Sequence, residues 1–232
     1  MDIFRNIKRV MVFGAHGDDE IIGSGATLYG FSKKGVEITA VTFTNRETAY
    51  ARIEDKDKAV LRAKEEMATA NVILGIKKRV ILGLPNQGVV NDRETFQTCT
   101  KLIREYRPEM IFTHAHADQH RDHRAVSELV DEARSKAEEN LSPDWGTPHR
   151  TYAVLYFEIF DLFAKPHIIV PVEDSWLEKK LEAMRSQTSQ LEVLKGIEYH
   201  IRGLAMVRGT AIGSKYGEAF QISDFHPSRA QM

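Results

Sequence analysis

The 232-residue chain is 42% hydrophobic, so it is long enough and apolar enough to bury the core of one α/β domain. Its 32 Lys and Arg residues nearly balance its 33 Asp and Glu residues, and the net charge of −1 gives no reason to expect a nucleic-acid or membrane partner. One cysteine, Cys99, excludes an internal disulfide, and the polar N-terminus lacks the apolar segment of a signal peptide. We therefore expect a soluble cytoplasmic protein.

Strand and helix patterns alternate along the chain. Apolar and β-branched runs predict strands over residues 9–15, 36–44, 79–83, 109–115, 152–157 and 167–172. Apolar residues at helical spacing predict helices over residues 20–34, 55–74, 93–106, 122–136 and 174–194. This alternation predicts a single three-layer α/β/α domain over residues 1–232, in which helices cover both faces of a mostly parallel sheet.

Two regions of this domain have a distinct composition. The polar segment at about 136–151, which contains two prolines and a tryptophan, predicts a long surface loop of the kind that often covers a site. Residues 174–232 are expected to form a C-terminal helical and motif region.

A histidine and three consecutive acids follow the first predicted strand. In VMVFGAHGDDEIIGSGATL the apolar run stops at His16, and Asp18, Asp19 and Glu20 come next. Ligands of open parallel sheets bind beyond the carboxyl ends of the strands, where this cluster falls. A dinucleotide-binding turn is excluded because G-x-G-x-x-G is absent and the acids would repel a pyrophosphate. The acids beside a histidine indicate zinc instead, unless they are only solvated residues at a helix N-terminus.

A second cluster follows the fourth predicted strand. The stretch THAHADQHRDH, Thr113 to His123, contains four histidines and two aspartates. A catalytic zinc needs three protein ligands and an open position, which His16, Asp19 and either His120 or His123 would provide. The other histidine would lie beside the open position, and Asp118 or Asp122 could fix the tautomer of a histidine. For His114 and His116 a structural or supporting role is the simpler interpretation.

These two clusters resemble motifs of the LmbE-like (PIG-L) family of zinc-dependent N-acetyl-sugar deacetylases. AHGDDE, Ala15 to Glu20, is similar to the family's AHPDDE, and DQHRDH, Asp118 to His123, is similar to its D-x-H-x-D-H. KLEAMRSQTSQ and RGTAIGSKYGEAF, which end at Gln190 and Phe220, resemble the bacterial members, nearest to the bacillithiol-type deacetylases. The chain departs from the family at Gly17, usually proline, and at Asn86, often aspartate.

The resemblance implies a Rossmann-like fold and a metal-dependent hydrolase that removes the acetyl group from an N-acetylglucosamine-type sugar conjugate. It implies that Zn²⁺, or another divalent metal, is held by His16, Asp19 and His123. It implies further that Asp18 is the general base, that His120 polarises or protonates the tetrahedral intermediate, and that Asp122 orients a histidine. The implied partner is a small N-acetyl amino sugar or its conjugate, and a homo-oligomer is compatible with the resemblance.

Five further residues are candidate substrate contacts: Arg46, Arg52, Asn86, Tyr216 and Glu218. The two arginines lie near predicted loops at the carboxyl side of the sheet and could bind a phosphate or carboxylate, although surface charge is the simpler interpretation. Asn86, in GLPNQG, is expected to shape the sugar pocket, and Tyr216 and Glu218 belong to the C-terminal motif.

Two other functions remain open at this point. An amidase that cleaves a thiol-conjugate amide would use the same scaffold, and a comparison of acetylated sugars with such conjugates as ligands separates the two. A non-catalytic metal-binding or sugar-binding protein would lack the general base or the oxyanion-stabilising residue. Asp18 and His120 are both present, which disfavours that alternative.

Overall fold

The computed structural model describes residues 4–225, which contain seven strands, seven α-helices and two short 3-10 helices, Ile53–Lys58 and Pro143–Trp145. The strands are β1 (Arg9–Gly14), β2 (Glu37–Thr44), β3 (Lys78–Leu84), β4 (Met110–His114), β5 (Ala153–Phe157), β6 (Ile168–Val172) and β7 (Tyr216–Ile222). The helices are α1 (Asp19–Lys33), α2 (Ala59–Leu74), α3 (Arg93–Tyr106), α4 (Arg121–Glu138), α5 (Asp174–Arg185), α6 (Thr188–Val193) and α7 (Ile197–Thr210). Within residues 4–225 no helix has the length and apolarity needed to cross a bilayer. The predicted domain extent, 1–232, runs beyond the described residues at both ends.

All seven strands form one sheet in the order β3-β2-β1-β4-β5-β7-β6. Strands β1 to β5 pair in parallel, and β7 pairs antiparallel with both β5 and β6. The predicted mostly parallel sheet in a single α/β domain is thereby confirmed. Every residue of β4 is buried, as expected for a central strand that helices cover on both faces.

Two apolar layers join the helices to the sheet. On one face α1, α2, α5 and α7 share a core with the central strands, and on the other face α3 and α4 do so. Twelve of the 15 residues of α1 are buried, because the sheet, α5 and β7 enclose it. The core therefore holds α1 firmly, and the residues at its N-terminus have a fixed position at the edge of the sheet.

The C-terminal third differs most from the predicted elements. The single helix predicted over 174–194 is wrong, because α5 ends at Arg185 and α6 begins at Thr188. Between them Gln187 leaves the helical conformation (φ −85°, ψ 59°), and its side chain bonds Arg46 and the carbonyl of Glu66 instead. Helix α7 and strand β7 have no counterpart among the predicted elements.

The long polar loop after α4 lies at the amino-terminal edge of the sheet. It joins α4 to β5, and in a parallel α/β sheet such helix-to-strand connections lie opposite the edge where ligands bind. The expectation that this loop covers a site is therefore wrong. Arg104 of α3 holds the loop, since its guanidinium nitrogens lie 2.7–3.2 Å from six backbone carbonyl oxygens of residues 136–146.

Replacing Arg104 by alanine is expected to lower the free energy of unfolding by about 3 kcal/mol, because the buried carbonyl of Ala137 and five partly buried carbonyls lose their charged donor at once. Chemical denaturation measures this loss. Arg107→Ala is the matched control, since Arg107 donates one hydrogen bond of 3.3 Å to the Pro148 carbonyl, and its loss should cost about 1 kcal/mol or less. Equal losses in the two variants would contradict the role given to Arg104.

Candidate metal centre and active site

The candidate site lies where the strand order of the sheet reverses. From β1 the chain builds β2 and β3 on one side, and it then returns to build β4 and β5 on the other side of β1. The loops that leave the carboxyl ends of β1 and β4 therefore diverge and open a crevice, which is the usual ligand position in such sheets. The two His/Asp clusters found in the sequence lie on these two loops and on the first turns of α1 and α4.

Three side chains from the two clusters meet on the floor of this crevice. His16 Nδ1 lies 3.3 Å from His123 Nε2 and 3.5 Å from Asp19 Oδ2, and His123 Nε2 lies 3.4 Å from Asp19 Oδ1. Tetrahedral zinc at its normal bond lengths holds its ligand atoms about 3.3–3.6 Å apart. The spacing of these three residues therefore fits a single metal ion.

Two carboxylates fix the orientation and tautomer of the histidines. His16 Nε2 donates a hydrogen bond to Asp122 Oδ2 (3.2 Å), and His123 Nδ1 donates one to Asp118 Oδ2 (2.9 Å), because a carboxylate can only accept. The lone pairs of His16 Nδ1 and His123 Nε2 consequently face each other and the Asp19 carboxylate. Electron-rich atoms that converge in this way repel one another unless a cation or a proton lies between them. Metal sites in proteins have the same arrangement of ligands and orienting carboxylates.

Protons compete with a metal for these atoms. Burial opposes charging of His16, but the Asp19 carboxylate and hydrogen bonding outweigh it and raise the pKa of His16 to about 10. Burial likewise opposes charging of His123, and Asp19 again dominates and raises its pKa to about 9. Burial would raise the pKa of Asp19, but the surrounding histidines hold it well below its usual range.

Removing the metal is expected to make the stability of the protein depend on pH. Because the pKa values of His16 and His123 are raised above the usual 6.5, their protonation stabilises the metal-free fold fully below about pH 6.5, and this stabilisation is lost as the pH rises through 9 to 10. A metal displaces those protons, so the rise in melting temperature on adding zinc should be larger at pH 9 than at pH 6. Melting curves with zinc and with a chelator between pH 6 and 10 measure it. A rise that is constant or larger at pH 6 would contradict this account.

His120 also lies near the floor, and its ring has a different hydrogen-bond partner. Possible ligand atoms fall into two overlapping sets, which are His16, His120 and His123, and Asp19, His114 and His123. His120 Nδ1 accepts a hydrogen bond from the Asp122 N–H (3.2 Å), so its neutral ring carries the proton on Nε2. Burial, with the nearby histidines, lowers the pKa of His120 and favours this neutral form.

His114 and His116 support the site without lining it. His114 is completely buried, its Nε2 lies 3.0 Å from Asp19 Oδ2, and its ring stacks on His123 with centroids 3.9 Å apart. Burial lowers the pKa of His114 to about 4, so its ring is neutral. His116 turns away and its Nε2 lies 2.8 Å from the Asp131 carboxylate, which anchors the loop after β4 to α4.

Asp18 faces the cavity beside the floor. It is the N-cap residue of α1, and its carboxylate makes no capping hydrogen bond with the helix. Burial raises the pKa of Asp18, and the nearby Arg46 charge opposes that rise. Asp18 is thus a buried carboxylate available to a water molecule in the cavity, next to the group of atoms that fits a metal.

Arg46 is a buried residue and not the surface charge that the sequence favours. It is 1% exposed and adopts a left-handed conformation (φ 58°) after β2. Its guanidinium donates to Gln187 Oε1 (2.8 Å) and Ser189 Oγ (3.1 Å) and lies 3.5 Å from Glu66 Oε2. We call Arg46, Glu66, Gln187 and Ser189 the Arg46 cluster. It joins the loop after β2, helix α2 and the break between α5 and α6.

The floor opens into a cavity of about 590 Å³. Of the five candidate substrate contacts, Arg46 and Asn86 line it. Arg52 is exposed and does not line the cavity. Tyr216 and Glu218 are buried away from it on β7, which the sheet topology places two strands from β4.

Glu218 has a structural role in place of substrate contact. Its carboxylate accepts hydrogen bonds from the backbone N–H groups of Ala26 (3.0 Å) and Thr27 (2.7 Å) in α1, and from Lys180 Nζ (2.6 Å) in α5. The motif containing Glu218 therefore fastens β7 to two helices of the core.

Several residues that line the cavity carry no signal in the sequence. Phe160 and Asp161, in the segment between β5 and β6, form one wall with Val193 and Leu194 from the end of α6. Their position depends on the break after α5 and on the insertion of β7, which periodicity does not predict. The similarity at KLEAMRSQTSQ is the one indication in the sequence that this region matters.

Gly17, which departs from the family motif, fits its surroundings closely. A Cβ atom at this position would lie 2.2 Å from the Sδ atom of Met67, a buried residue of α2. A proline here would therefore require Met67 to move. The absence of a side chain at Gly17 therefore leaves the space that the Met67 side chain occupies.

Known proteins resemble this chain in sequence and in structure. The family described as PIG-L: GlcNAc-PI de-N-acetylase matches residues 11–134, more than half of the chain. The diacetylchitobiose deacetylase of Thermococcus kodakarensis is 27% identical over 94% of this chain and 84% of its own length. The probable N-acetyl-alpha-D-glucosaminyl L-malate deacetylase 2 of Bacillus anthracis is 25% identical over 80% of this chain and 83% of its own length. The solved N,N'-diacetylchitobiose deacetylase of Pyrococcus horikoshii superposes with a TM-score of 0.87 at 25% identity, covering 97% of this chain and 87% of that one.

Proposed function

Because the chain belongs to the PIG-L family of GlcNAc-PI de-N-acetylases, we propose that it hydrolyses the acetamide group of an N-acetylglucosamine-type sugar conjugate. The observation that supports this most directly is the set of three side chains, His16, Asp19 and His123, whose ligand atoms have metal-ligand spacing beside the buried carboxylate of Asp18. Amide hydrolysis needs an electrophilic carbonyl, an activated water and a proton for the leaving amine. The cavity floor holds residues suited to each of these needs.

We assign the metal to His16 Nδ1, His123 Nε2 and the Asp19 carboxylate. Two imidazoles with one carboxylate suit zinc among the common divalent ions, and three protein ligands leave one position open. The bound metal would supply Lewis-acid chemistry, acidifying a water molecule and polarising the acetyl oxygen. Two observations support this assignment. The ligand atoms have the spacing of a metal site, and the hydrogen bonds to Asp118 and Asp122 orient His123 and His16 so that their free ring nitrogens point to one position.

Asp18 then acts as the general base and proton carrier. Its carboxylate takes a proton from the attacking water as the new carbon–oxygen bond forms. It returns that proton to the sugar nitrogen as the carbon–nitrogen bond breaks, so the products are acetate and a free amino sugar. Burial raises the pKa of Asp18, which makes it a better base than an exposed carboxylate.

His120 stabilises the negative charge that develops on the acetyl oxygen. The Asp122 N–H occupies its Nδ1, so Nε2–H is the hydrogen-bond donor that it offers to the cavity. A neutral donor in a fixed position is sufficient for this purpose. The proton of the leaving amine is assigned to Asp18, because Asp18 has already taken a proton from the attacking water.

Acetate release by metal-stripped and zinc-restored protein tests the proposed function. The purified chain is dialysed against a chelator and assayed with N-acetylglucosamine glycosides before and after one equivalent of Zn²⁺, Mn²⁺ or Mg²⁺ is added. We expect little release from the stripped protein and recovery with zinc. Tight zinc binding without acetate release from any glycoside would contradict the deacetylase assignment and would direct the search to thiol-conjugate amides.

A further inference from the structure

Carboxylates outnumber basic side chains in the lining of the cavity, floor included. Four carboxylates line it, and these belong to Asp18, Asp19, Asp118 and Asp161. Among residues 4–225, Arg46 is the one lysine or arginine that lines it. A divalent metal on the floor offsets part of this charge, but it lies at the acetamide end and leaves the outer part of the cavity unchanged.

Arg46 is not free to bind an anionic substrate. Its guanidinium is 1% exposed and is shared among Gln187, Ser189 and the carboxylate of Glu66. A substrate carboxylate or phosphate would have to displace Glu66, which also accepts a hydrogen bond of 2.7 Å from the backbone N–H of Ser189. Within residues 4–225, the one arginine that lines the cavity is therefore already held by side chains of the fold, and Glu66 is shared with Arg62, whose Nε lies 3.2 Å from Glu66 Oε1.

One wall of the outer cavity is apolar and carries one acid, whereas Thr48 and Gln119 are exposed polar residues elsewhere in the lining. Phe160 is 50% exposed and Val193 is 54% exposed, and they lie near Leu194 along the wall. Asp161 is held among them, because its two carboxylate oxygens accept hydrogen bonds of 2.8 Å from the backbone N–H and the side-chain amide of Gln119. An anionic group at this end of a substrate would face the Asp161 carboxylate, and among residues 4–225 no lysine or arginine other than Arg46 lines the cavity to pair with it.

We propose that the chain acts on conjugates whose aglycone is uncharged and has an apolar face, and that it discriminates against aglycones bearing a carboxylate or phosphate. The inference rests on the proposed function and adds the chemical class of the substrate. Apolar walls with a few placed polar groups are typical of small-molecule sites, and Phe160 offers a flat surface to a sugar ring or an aromatic group. Asp161 supplies the repulsive element that specificity requires against anions.

Matched glycosides of N-acetylglucosamine test this inference. The zinc-restored protein is assayed for acetate release from the methyl, phenyl and malyl glycosides and from the 1-phosphate at low ionic strength. We expect kcat/KM for the two neutral glycosides to exceed that for the anionic ones by about tenfold, and the gap to narrow as salt screens Asp161. Faster hydrolysis of the malyl or phosphate compound would overturn the inference while leaving the deacetylase function intact. Release from none of the four would overturn both.

Two pairs of variants separate charge and stacking from general damage. Asp161→Asn should lower the ratio of kcat/KM for neutral over anionic glycosides about threefold. Gln119→Ala, which removes the side-chain amide donor to Asp161 Oδ1 but keeps the backbone N–H donor and the charge of Asp161, should leave that ratio near its original value. Phe160→Ala should reduce the preference for phenyl over methyl glycoside about fivefold. Tyr199→Ala, an 86% exposed aromatic on α7 outside the cavity, is its control. Equal effects within either pair would overturn the corresponding part of the inference.

Discussion

Asp19→Ala protein is expected to be purified without metal and to release no measurable acetate. The Asp19 carboxylate lies 3.4 Å from His123 Nε2 and 3.5 Å from His16 Nδ1, so its removal leaves two imidazoles to hold the ion. Loss of a partner that only orients a ligand already costs about 10–100-fold in metal affinity, and loss of a ligand should cost more than about 100-fold. The measurements are metal content after dialysis and a zinc titration against a competing chelator.

Glu37→Ala is the control for this variant. Glu37 is an exposed carboxylate at the opposite end of β2, so its removal should change neither metal content nor activity. The pH dependence of melting adds a second readout. Because Asp19 is the main charge that raises the pKa values of His16 and His123, the metal-free Asp19→Ala protein should show a flatter stability profile between pH 7 and 10. Zinc bound to Asp19→Ala at full stoichiometry and unchanged affinity would contradict the ligand assignment.

Asp18→Asn protein is expected to keep its metal and to lose about 10²–10⁴-fold in kcat. The substitution preserves the shape of the side chain at the N-cap of α1 but removes its capacity to accept a proton. Since Asp18 is not assigned to the metal, zinc stoichiometry and affinity should match those of the original protein. The measurements are acetate release under saturating substrate and a zinc titration on the same preparation.

The adjacent variants therefore have opposite expected effects on the metal. Asp19→Ala loses the ion, and Asp18→Asn keeps the ion but loses turnover, so each serves as the control for the other. The pH profile provides a further check, because the acidic limb of kcat that Asp18 produces should disappear in Asp18→Asn. Activity within tenfold of the original protein would exclude Asp18 as the base. Loss of zinc from Asp18→Asn would instead show that Asp18 is a metal ligand.

Periodicity and turn residues are sufficient to predict the parallel half of the fold. Strands β1 to β5 and helices α1 to α4 follow the alternation in the sequence, with α3 at the predicted bounds of 93–106. Because carboxyl ends of parallel strands share one edge, the two His/Asp clusters are expected to meet from sequence alone. The same topology places the loop after α4 at the other edge, so its predicted position over a site conflicts with the predicted strands themselves.

The rest of the site depends on contacts between distant segments. Arg46 has the sequence context of a surface arginine, but residues 66, 187 and 189 bring it three hydrogen-bonding partners from 20 to 143 positions away. Local patterns carry no information on such contacts. The break after Arg185 has the same origin, since Gln187 exchanges a helical conformation for bonds to the Arg46 cluster. The antiparallel β7 is missed because its partners are fixed by packing and not by alternation.

The insertion of β7 between β5 and β6 has a consequence for how the chain folds during its synthesis. Phe157 of β5 and Ile168 of β6 both lie opposite Phe220 of β7. Neither strand can pair with β7 until the ribosome has added about 50 to 60 further residues. A ribosome-bound intermediate can complete the five parallel strands and every proposed metal ligand while the apolar edge of β5 stays unpaired. Such an edge invites pairing with another chain. Yield of native protein in a cell should therefore depend on chaperones and growth temperature through the last strand, even though that strand contributes nothing to the chemistry.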